Sequence, residues 1–465
     1  MESFWDFSVW GGPNLMAVLL ISLLVGNILK KAIKPLQESL IPTSVLGGML
    51  LLLLDAGYRQ ITGEDLFDTP FFGGRGTTNL EIITYHALAL GFIASTFKSS
   101  QGRLTSKRMG EIFNTGVTTV STYLLQGVVG LGISIAAAAA LPGFFRAAGI
   151  LLPFGYGQGT GQALNYGGIF EADYGFVGGK SFGLTIAALG FLSASVGGVI
   201  YLNVLKKRGK ITVRLGEEKA LRSEDVQGAG EIPMQESIDK MTIQVALVVA
   251  TYLVAYILMY ALGALLPGMR SVIFGFNFLL GVLSAMLVRT LLRALKKVGL
   301  VHKEYINSFL MTRVSNFFFD VMVVAGIAAI RLHLLKNYWG VILIMGTVGL
   351  VVTFAYNHFV AKRLFPDYAQ EQFLMMYGML TGTASTGIIL LREVDGDFRT
   401  PASENMVYQN LPAIVFGFPM MILATFAPKD PVLTLLILAG LFVVMNLILF
   451  RSRLKKQKKS ASADT

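Results

Sequence analysis

The 465-residue chain predicts an all-α polytopic membrane protein: two inverted repeats of five transmembrane helices, each with a glycine-rich reentrant hairpin, plus one extra C-terminal transmembrane helix. Three observations lead there. Hydrophobic residues make up 54% of the chain and charged residues 14%, against roughly 25% charged in soluble domains, and the mean hydropathy is +0.62. Glycine takes every second position in Gly155-Tyr156-Gly157-Gln158-Gly159-Thr160-Gly161, between apolar flanks. A second interrupted run, Gly378-Met379-Leu380-Thr381-Gly382-Thr383-Ala384-Ser385-Thr386-Gly387, occurs in the other half. Unpaired backbone groups cost several kcal/mol in hydrocarbon, so irregular chain survives at membrane depth only where it is buried in protein or lines a polar cavity. Two such breaks in corresponding places point to the substrate site of an inverted-repeat transporter.

About 20 apolar residues cross a bilayer core, and windows of that kind fall near 9–29, 40–57, 81–97, 111–140 and 178–205. A second set falls near 241–266, 271–292, 305–331, 338–361, 405–427 and 431–450, making eleven spans. The first hairpin, about 147–170, lies between spans four and five; the second, about 368–392, lies between spans nine and ten. The N-terminal repeat therefore covers 1–205 and the C-terminal repeat 241–427, with an added span and basic tail over 428–465. The stretch 206–240 mixes both charge signs around Gly228-Ala229-Gly230 and reads as a solvated cytoplasmic linker.

Orientation follows from Lys and Arg, which concentrate in cytoplasmic loops. Lys30, Lys31 and Lys34 follow span one; Lys98, Arg103, Lys107 and Arg108 follow span three; Lys206, Lys207, Arg208 and Lys210 follow span five. The same side receives Arg293, Lys296 and Lys297, then Lys362 and Arg363, then the tail from Arg451 to Lys459, whereas Glu64-Asp65-Leu66-Phe67-Asp68 lies opposite. The N-terminus is expected outside and the C-terminus in the cytoplasm, which makes the two repeats antiparallel and brings the hairpins in from opposite faces.

Other classes of function find little support. The net charge of +11 is distributed as loop and tail charge, so no nucleic-acid partner is expected. There is no cysteine, hence no disulfide framework, thiolate metal site or thiol nucleophile. The start, Met1-Glu2-Ser3-Phe4-Trp5-Asp6, has no basic n-region, so no removable signal peptide is expected. No facing aspartate pair, Ser/His pair or HExxH helix suggests an intramembrane hydrolase, and no segment has the size of a nucleotide-binding domain. Gly178-Gly179-Lys180-Ser181 lacks the earlier glycine of a phosphate-binding loop, since position 174 is Tyr.

The two hairpins carry the candidate site. Glycine tolerates positive φ and lets a ligand approach the backbone, and half-helix N-termini suit a carboxylate, while exposed carbonyls and hydroxyls suit a hard cation such as sodium. The candidate substrate and ion ligands are Gly155, Gly157, Gln158, Gly159, Thr160, Gly161 and Gln162 in the first hairpin, and Thr381, Gly382, Thr383, Ser385 and Thr386 in the second. Asp320, within apolar span eight, joins them, because an ionisable residue there is a functional hypothesis by default. The sodium candidates are Thr160, Thr383, Ser385 and Asp320. Bland alternatives exist: glycines serve helix packing, Thr and Ser bond back to helical carbonyls, and Asp320 pairs with Arg313, seven residues earlier on the same face. Lys180 reads as a snorkelling residue, and His86, Gln126, Asn277 and Asn410 as interhelical hydrogen-bonding groups.

The run Gly157-Gln158-Gly159-Thr160-Gly161-Gln162-Ala163, with Tyr174-Gly175-Phe176, Gly190 and Gly197-Gly198 after it, resembles the first reentrant hairpin and following span of the bacterial sodium/glutamate symporter family. Ile41-Pro42-Thr43-Ser44-Val45-Leu46-Gly47-Gly48 is similar to that family's second span, and Ala89-Leu90-Gly91-Phe92 with Gly102-Arg103 to its third. The second hairpin departs from the pattern, which is richer in glycine and has a histidine just ahead, where this chain has Tyr377 and Leu380. The resemblance spans about 9–427 in order and spacing. It implies a homodimer in the bacterial inner membrane, glutamate as substrate, and one domain holding both hairpins.

The expected activity is thus ion-coupled symport of a small carboxylate by alternating access, with no cofactor besides the coupling ion. A proton-coupled carrier of another organic anion, or a passive channel, are the alternatives. Neither an enzyme nor a pump is expected.

Overall fold

A computed structural model describes residues 4–97, 105–209, 231–234, 238–396 and 399–451. Most of the expected 206–240 linker and the tail beyond Arg451 lie outside the described residues. Among the described residues the fold is all-helical apart from one isolated bridge between Glu231 and Glu304.

Helices of seven residues or more are α1 (Phe7–Ala32), α2 (Thr43–Thr62), α3 (Gly76–Phe97), α4 (Ser106–Ala140), α5 (Leu151–Tyr174), α6 (Gly179–Lys207), α7 (Lys240–Leu265), α8 (Asn277–Lys297), α9 (Ser308–Ala328), α10 (Trp339–Leu364), α11 (Ala369–Thr381), α12 (Ala384–Arg392), α13 (Ala402–Tyr408), α14 (Asn410–Phe426) and α15 (Pro431–Leu449). Side-chain caps fix several starts. Thr105 accepts from the Arg108 N–H, Asp239 from Met241 and Thr242, Asn307 from Leu310, and Asp430 from Leu433. Each satisfies an orphan donor of the first turn.

Nine of these helices, among the described residues, are long and apolar enough to cross a membrane, and ten if one bent pair counts as a single span. The chain is a multi-pass membrane protein. Every one of the eleven expected windows holds a helix, but two differ from simple spans. Helix α2 carries Asp55 and Arg59 in its second half, which dilutes its apolar run. The window at 405–427 breaks near Gln409, where α13 and the segment Pro412–Phe426 meet at 54°. Pro412 supplies no N–H for a continuous ladder, the usual cause of such a bend.

The chain forms two compact units, each drawn from both halves of the sequence: Met1–Gly26, Ser44–Arg103 and Glu218–Ala329 make the first, and Asn27–Thr43, Leu104–Glu217 and Ile330–Thr465 the second. In the first unit, Gly47 of α2 lies so close to α1 that a β-carbon there would sit 2.9 Å from the Ser22 carbonyl oxygen. Buried Ile93, Phe97, Val248, Ala285, Met311 and Val314 form its apolar core, and the Ser315 hydroxyl donates to the Gly91 carbonyl at 3.0 Å. His86 and Tyr252 share a 2.7 Å hydrogen bond, and Asn277 donates to the Tyr85 carbonyl at 2.9 Å, so both act as interhelical links. In the second unit α5 and α6 pack through small residues: a β-carbon at Gly155 would lie 2.8 Å from the Ala187 nitrogen, and one at Gly183 2.5 Å from the Ala163 carbonyl oxygen. Close backbone approach of this kind gives dispersion contact without large side chains.

Candidate functional site

Both glycine-rich segments belong to the second unit and both fold back on themselves. Helix α5 is broken at Gly159, whose φ of 78° and ψ of −170° belong to a region that only glycine enters freely. Residues twelve apart in one straight helix would stand about 18 Å apart, yet the rings of Phe154 and Tyr166 stack with centroids 3.8 Å apart. The arms are therefore antiparallel. The second segment breaks at Gly382 and Thr383, between α11 and α12. A β-carbon at Gly378 would meet the Gly387 α-carbon at 2.8 Å, so these arms also lie side by side.

The alternating glycines divide into two roles. Gly159 makes the turn. Gly157 stays helical and lies beneath the Tyr123 ring, whose hydroxyl donates to the Gly157 carbonyl at 3.0 Å. Of the two, Gly159 has the positive φ and Gly157 the close approach. Gly155 serves packing against α6.

The two broken segments approach each other at Gly190 of α6, where an added β-carbon would meet the Thr381 carbonyl oxygen on one side and the Tyr156 backbone on the other. Tyr156, from the first hairpin, shares a 2.8 Å hydrogen bond with Ser193 and donates to the Gly346 carbonyl at 2.5 Å. Tyr377, from the second, donates to the Ser193 carbonyl at 2.7 Å. Helix α6 is thus the common wall.

Polar atoms around this wall have a consistent sense. Gln162, 1% exposed and two residues into the second arm of α5, accepts from Asn165 at 3.2 Å through Oε1, and its Nε2 has no partner. Gln126 of α4, also 1% exposed, donates to the Thr353 hydroxyl at 2.9 Å and to the Leu380 carbonyl at 3.0 Å, leaving Oε1 unpartnered. A carbonyl only accepts, so the Leu380 contact fixes which way that amide faces. The first hairpin thus presents a buried spare donor at Gln162, and α4 a buried spare acceptor at Gln126, tied to the second hairpin through the Leu380 carbonyl. Unpaired buried polar groups of this kind are costly and call for a partner.

The remaining candidates separate. The Thr381 hydroxyl donates to the Tyr377 carbonyl at 2.6 Å, a helix back-bond, and its own carbonyl oxygen faces Gly190 of α6. Thr383 and Thr386 share a 3.3 Å contact, and Thr383 makes no side-chain cap for α12. Ser385 is half-buried, as are Thr383 and Gln158, whereas Thr160, Gly161 and Thr386 are buried. Asp320 is not grouped with these: it belongs to the first unit, where its carboxylate lies beside the Ser44 hydroxyl. The alternative pairing with Arg313 does not form. Arg313 instead sits over the Phe309 ring, 4.9 Å from its centroid, because that ring is one turn away and Asp320 nearly two.

Gln126 bridges helices, as its place in an apolar span predicts, but its free oxygen is visible only in the fold, as are the roles of Tyr123, Tyr156, Ser193 and Thr353. A polar stripe at Thr115, Thr119, Thr122 and Gln126 was legible as one face of α4, but its partner helices were not. No family model matches the chain, and no curated protein matches it in sequence.

Proposed function

We propose that the protein is an ion-coupled secondary symporter of a small carboxylate. The observation that supports this reading best is a pair of opposite spare groups within one unit: an amide donor at Gln162 in the first broken segment, and an amide acceptor at Gln126 of α4, whose nitrogen holds the Leu380 carbonyl of the second. A donor beside glycine-rich backbone suits a carboxylate, and carbonyl-type oxygens suit a hard cation. In this reading Gln162, with the backbone around Gly159, takes the anion. Gln126, the end of α11 and the hydroxyls of Thr383 and Ser385 take the cation, with sodium as the favoured ion. Each ligand then neutralises the other at a buried site, which gives a physical reason for their moving together.

The finer architecture belongs to the same proposal. The folded-back segments act as reentrant hairpins within two inverted five-span repeats, with the N-terminus outside, in a bacterial inner membrane. The family resemblance adds a homodimer and glutamate as first substrate to try.

The test is uptake by purified protein in liposomes. Labelled glutamate, aspartate and a dicarboxylate such as succinate are offered with an inward sodium gradient, with a proton gradient, and with neither. Concentrative uptake that needs the sodium gradient supports the reading; a proton requirement supports the proton-coupled alternative. Equilibration without concentration under every gradient would indicate a channel. Gln162→Leu should raise the substrate half-saturation at least fivefold, and Gln126→Leu that of the ion.

A further inference from the structure

The second unit holds more spare acceptors than the hairpin vertex accounts for. Asn405 of α13 is fully buried, and Gln409, at the end of that helix, is 3% exposed. Asn405 Oδ1 and Gln409 Oε1 both lack a partner. The orientation of the Asn405 amide is set by its neighbours. The Thr115 hydroxyl donates its one proton to the Glu111 carbonyl at 2.9 Å, so it accepts from Gln372 Nε2 at 3.1 Å. Gln372 must then offer Oε1 outward, where it accepts from Asn405 Nδ2 at 3.1 Å. Asn405 Nδ2 also donates to the Tyr368 hydroxyl at 3.0 Å. Oδ1 is the one polar atom of that side chain left over, and it can only accept.

Gln409 follows the same sense. Its Nε2 donates to Asn410 Oδ1 at 3.1 Å and contacts the Met379 sulfur at 3.6 Å. Asn405 and Gln409 are four residues apart with helical backbone, hence on one face. The arm α11 supplies the scale. Asn405 meets it at Gln372, Gln409 at Met379 and Gln126 at Leu380. From Gln372 to Leu380 is about 12 Å at 1.5 Å per residue. Spare acceptors thus accompany α11 from its first turns to the vertex. Glu111 stands at the far end with its side chain 13% exposed, ion-paired with Arg108 and beside the Tyr368 phenol.

A spare donor anywhere along this arm would suit an anion, and the amides present none. Amide oxygens do not ionise, so these groups do not carry a proton themselves. Their chemistry is that of ligands to a small alkali cation. We propose that Asn405 Oδ1 and Gln409 Oε1 form a second cation site, beside the α11 arm between Glu111 and the hairpin vertex, through which the coupling cation reaches Gln126. This rests on the ion coupling proposed above, and the test separates the two.

Detergent-purified protein without substrate is melted in sodium, lithium or choline chloride at equal ionic strength. Wild-type protein should be stabilised by sodium over choline. Gln409→Met, which keeps length and removes the oxygen, should raise the half-saturating sodium concentration at least fivefold. Asn405→Asp, which keeps the acceptor and adds charge, should lower it at least fivefold. If Gln409→Met fails to fold, Gln409→Glu takes its place and should lower the value. Sodium stabilisation that vanishes in Gln126→Leu but is unchanged in Gln409→Met and Asn405→Asp would overturn the second site and leave the vertex cation in place. In that case the amides hold water only. Loss of any difference between sodium and choline in the wild type would overturn the sodium coupling itself.

Discussion

At the scale of single residues, the two central glycines of the first hairpin predict opposite rescue behaviour. Gly159 has a φ and ψ that side-chain-bearing residues avoid, so Gly159→Ala is strained by about 1–3 kcal/mol whatever its neighbours do. Gly157 is helical, and the atoms a methyl there meets first are those of the Tyr123 ring. Gly157→Ala should therefore be rescued, in thermal stability and in uptake, by Tyr123→Leu, whereas Gly159→Ala should not. Equal rescue of both would mean that the chain does not turn at Gly159. Alternating glycines were legible in the sequence as a break, since they match no helix face. Which of them turns was not, because the answer depends on a ring from α4 lying 34 residues upstream. Asp320 shows the limit of spacing. Its spacing from Arg313 was right for one face, but a nearer aromatic ring took the guanidinium, and spacing alone does not rank two partners.

Among elements, α7 has the most conspicuous anchor. Lys240 at its first turn is fully buried and donates to Glu231 at 2.7 Å, and Asn307 Nδ2 donates to the same carboxylate oxygen at 2.7 Å. Gln244, one turn on, donates to the Tyr305 carbonyl at 2.8 Å and accepts from the Asn307 N–H at 3.0 Å. The N-terminus of α9, capped by Asn307, is thereby tied to the start of α7 and to the chain that enters it. Removing one member of a buried pair leaves the other charge stranded, at about 3–5 kcal/mol. Lys240→Met should accordingly lower the melting temperature in detergent far more than Lys296→Met. The Lys296 pair with Glu304 is half-exposed on both sides, and such pairs contribute about 1 kcal/mol or less. Equal effects would show that Lys240 is not buried. The sequence displayed α7 as an apolar run but gave no sign of this lock, because Glu231 lies in a charge-mixed stretch that reads as solvated linker. The same limit hid the acceptors near α11. They come from α4 and α13, and only folding brings those helices to α11.

At the scale of the whole molecule, apolar length made the order of the long helices legible, with nine or ten of the eleven expected spans long and apolar enough to cross a membrane among the described residues, whereas the assembly of each unit from both halves was not, because no local pattern encodes which distant helices pack. Transmembrane orientation, argued from Lys and Arg alone, is open to direct measurement in a chain with no natural cysteine. Loop positions differ in their fitness for a probe. Asp65 pairs with Arg59 at 2.6 Å and its side chain is 11% exposed, and Asp430 caps α15, so a cysteine at either would disturb the fold it reports on. Glu64 and Lys429 are exposed beside them and suit the outer positions. Ser106, at the start of α4, and His302, between α8 and α9, are exposed and follow basic clusters, so they suit the inner ones. A membrane-impermeant maleimide should label Glu64→Cys and Lys429→Cys on intact cells, and Ser106→Cys and His302→Cys only after permeabilisation. Glu64 and Ser106 are separated by α3, and Lys429 and Ser106 by α4, α5, α6 and the helices after them, so the four sites test the parity of the spans as well as the direction. Labelling of Lys429 from the same side as Ser106 would require an odd number of spans fewer in the second half. The bend at Gln409 would then mark a pair that enters and leaves by one face, and α15 would run the other way, placing the basic tail outside. That outcome would contradict the charge rule at its strongest cluster, and it is the measurement on which antiparallel halves, and with them alternating access, most directly depend.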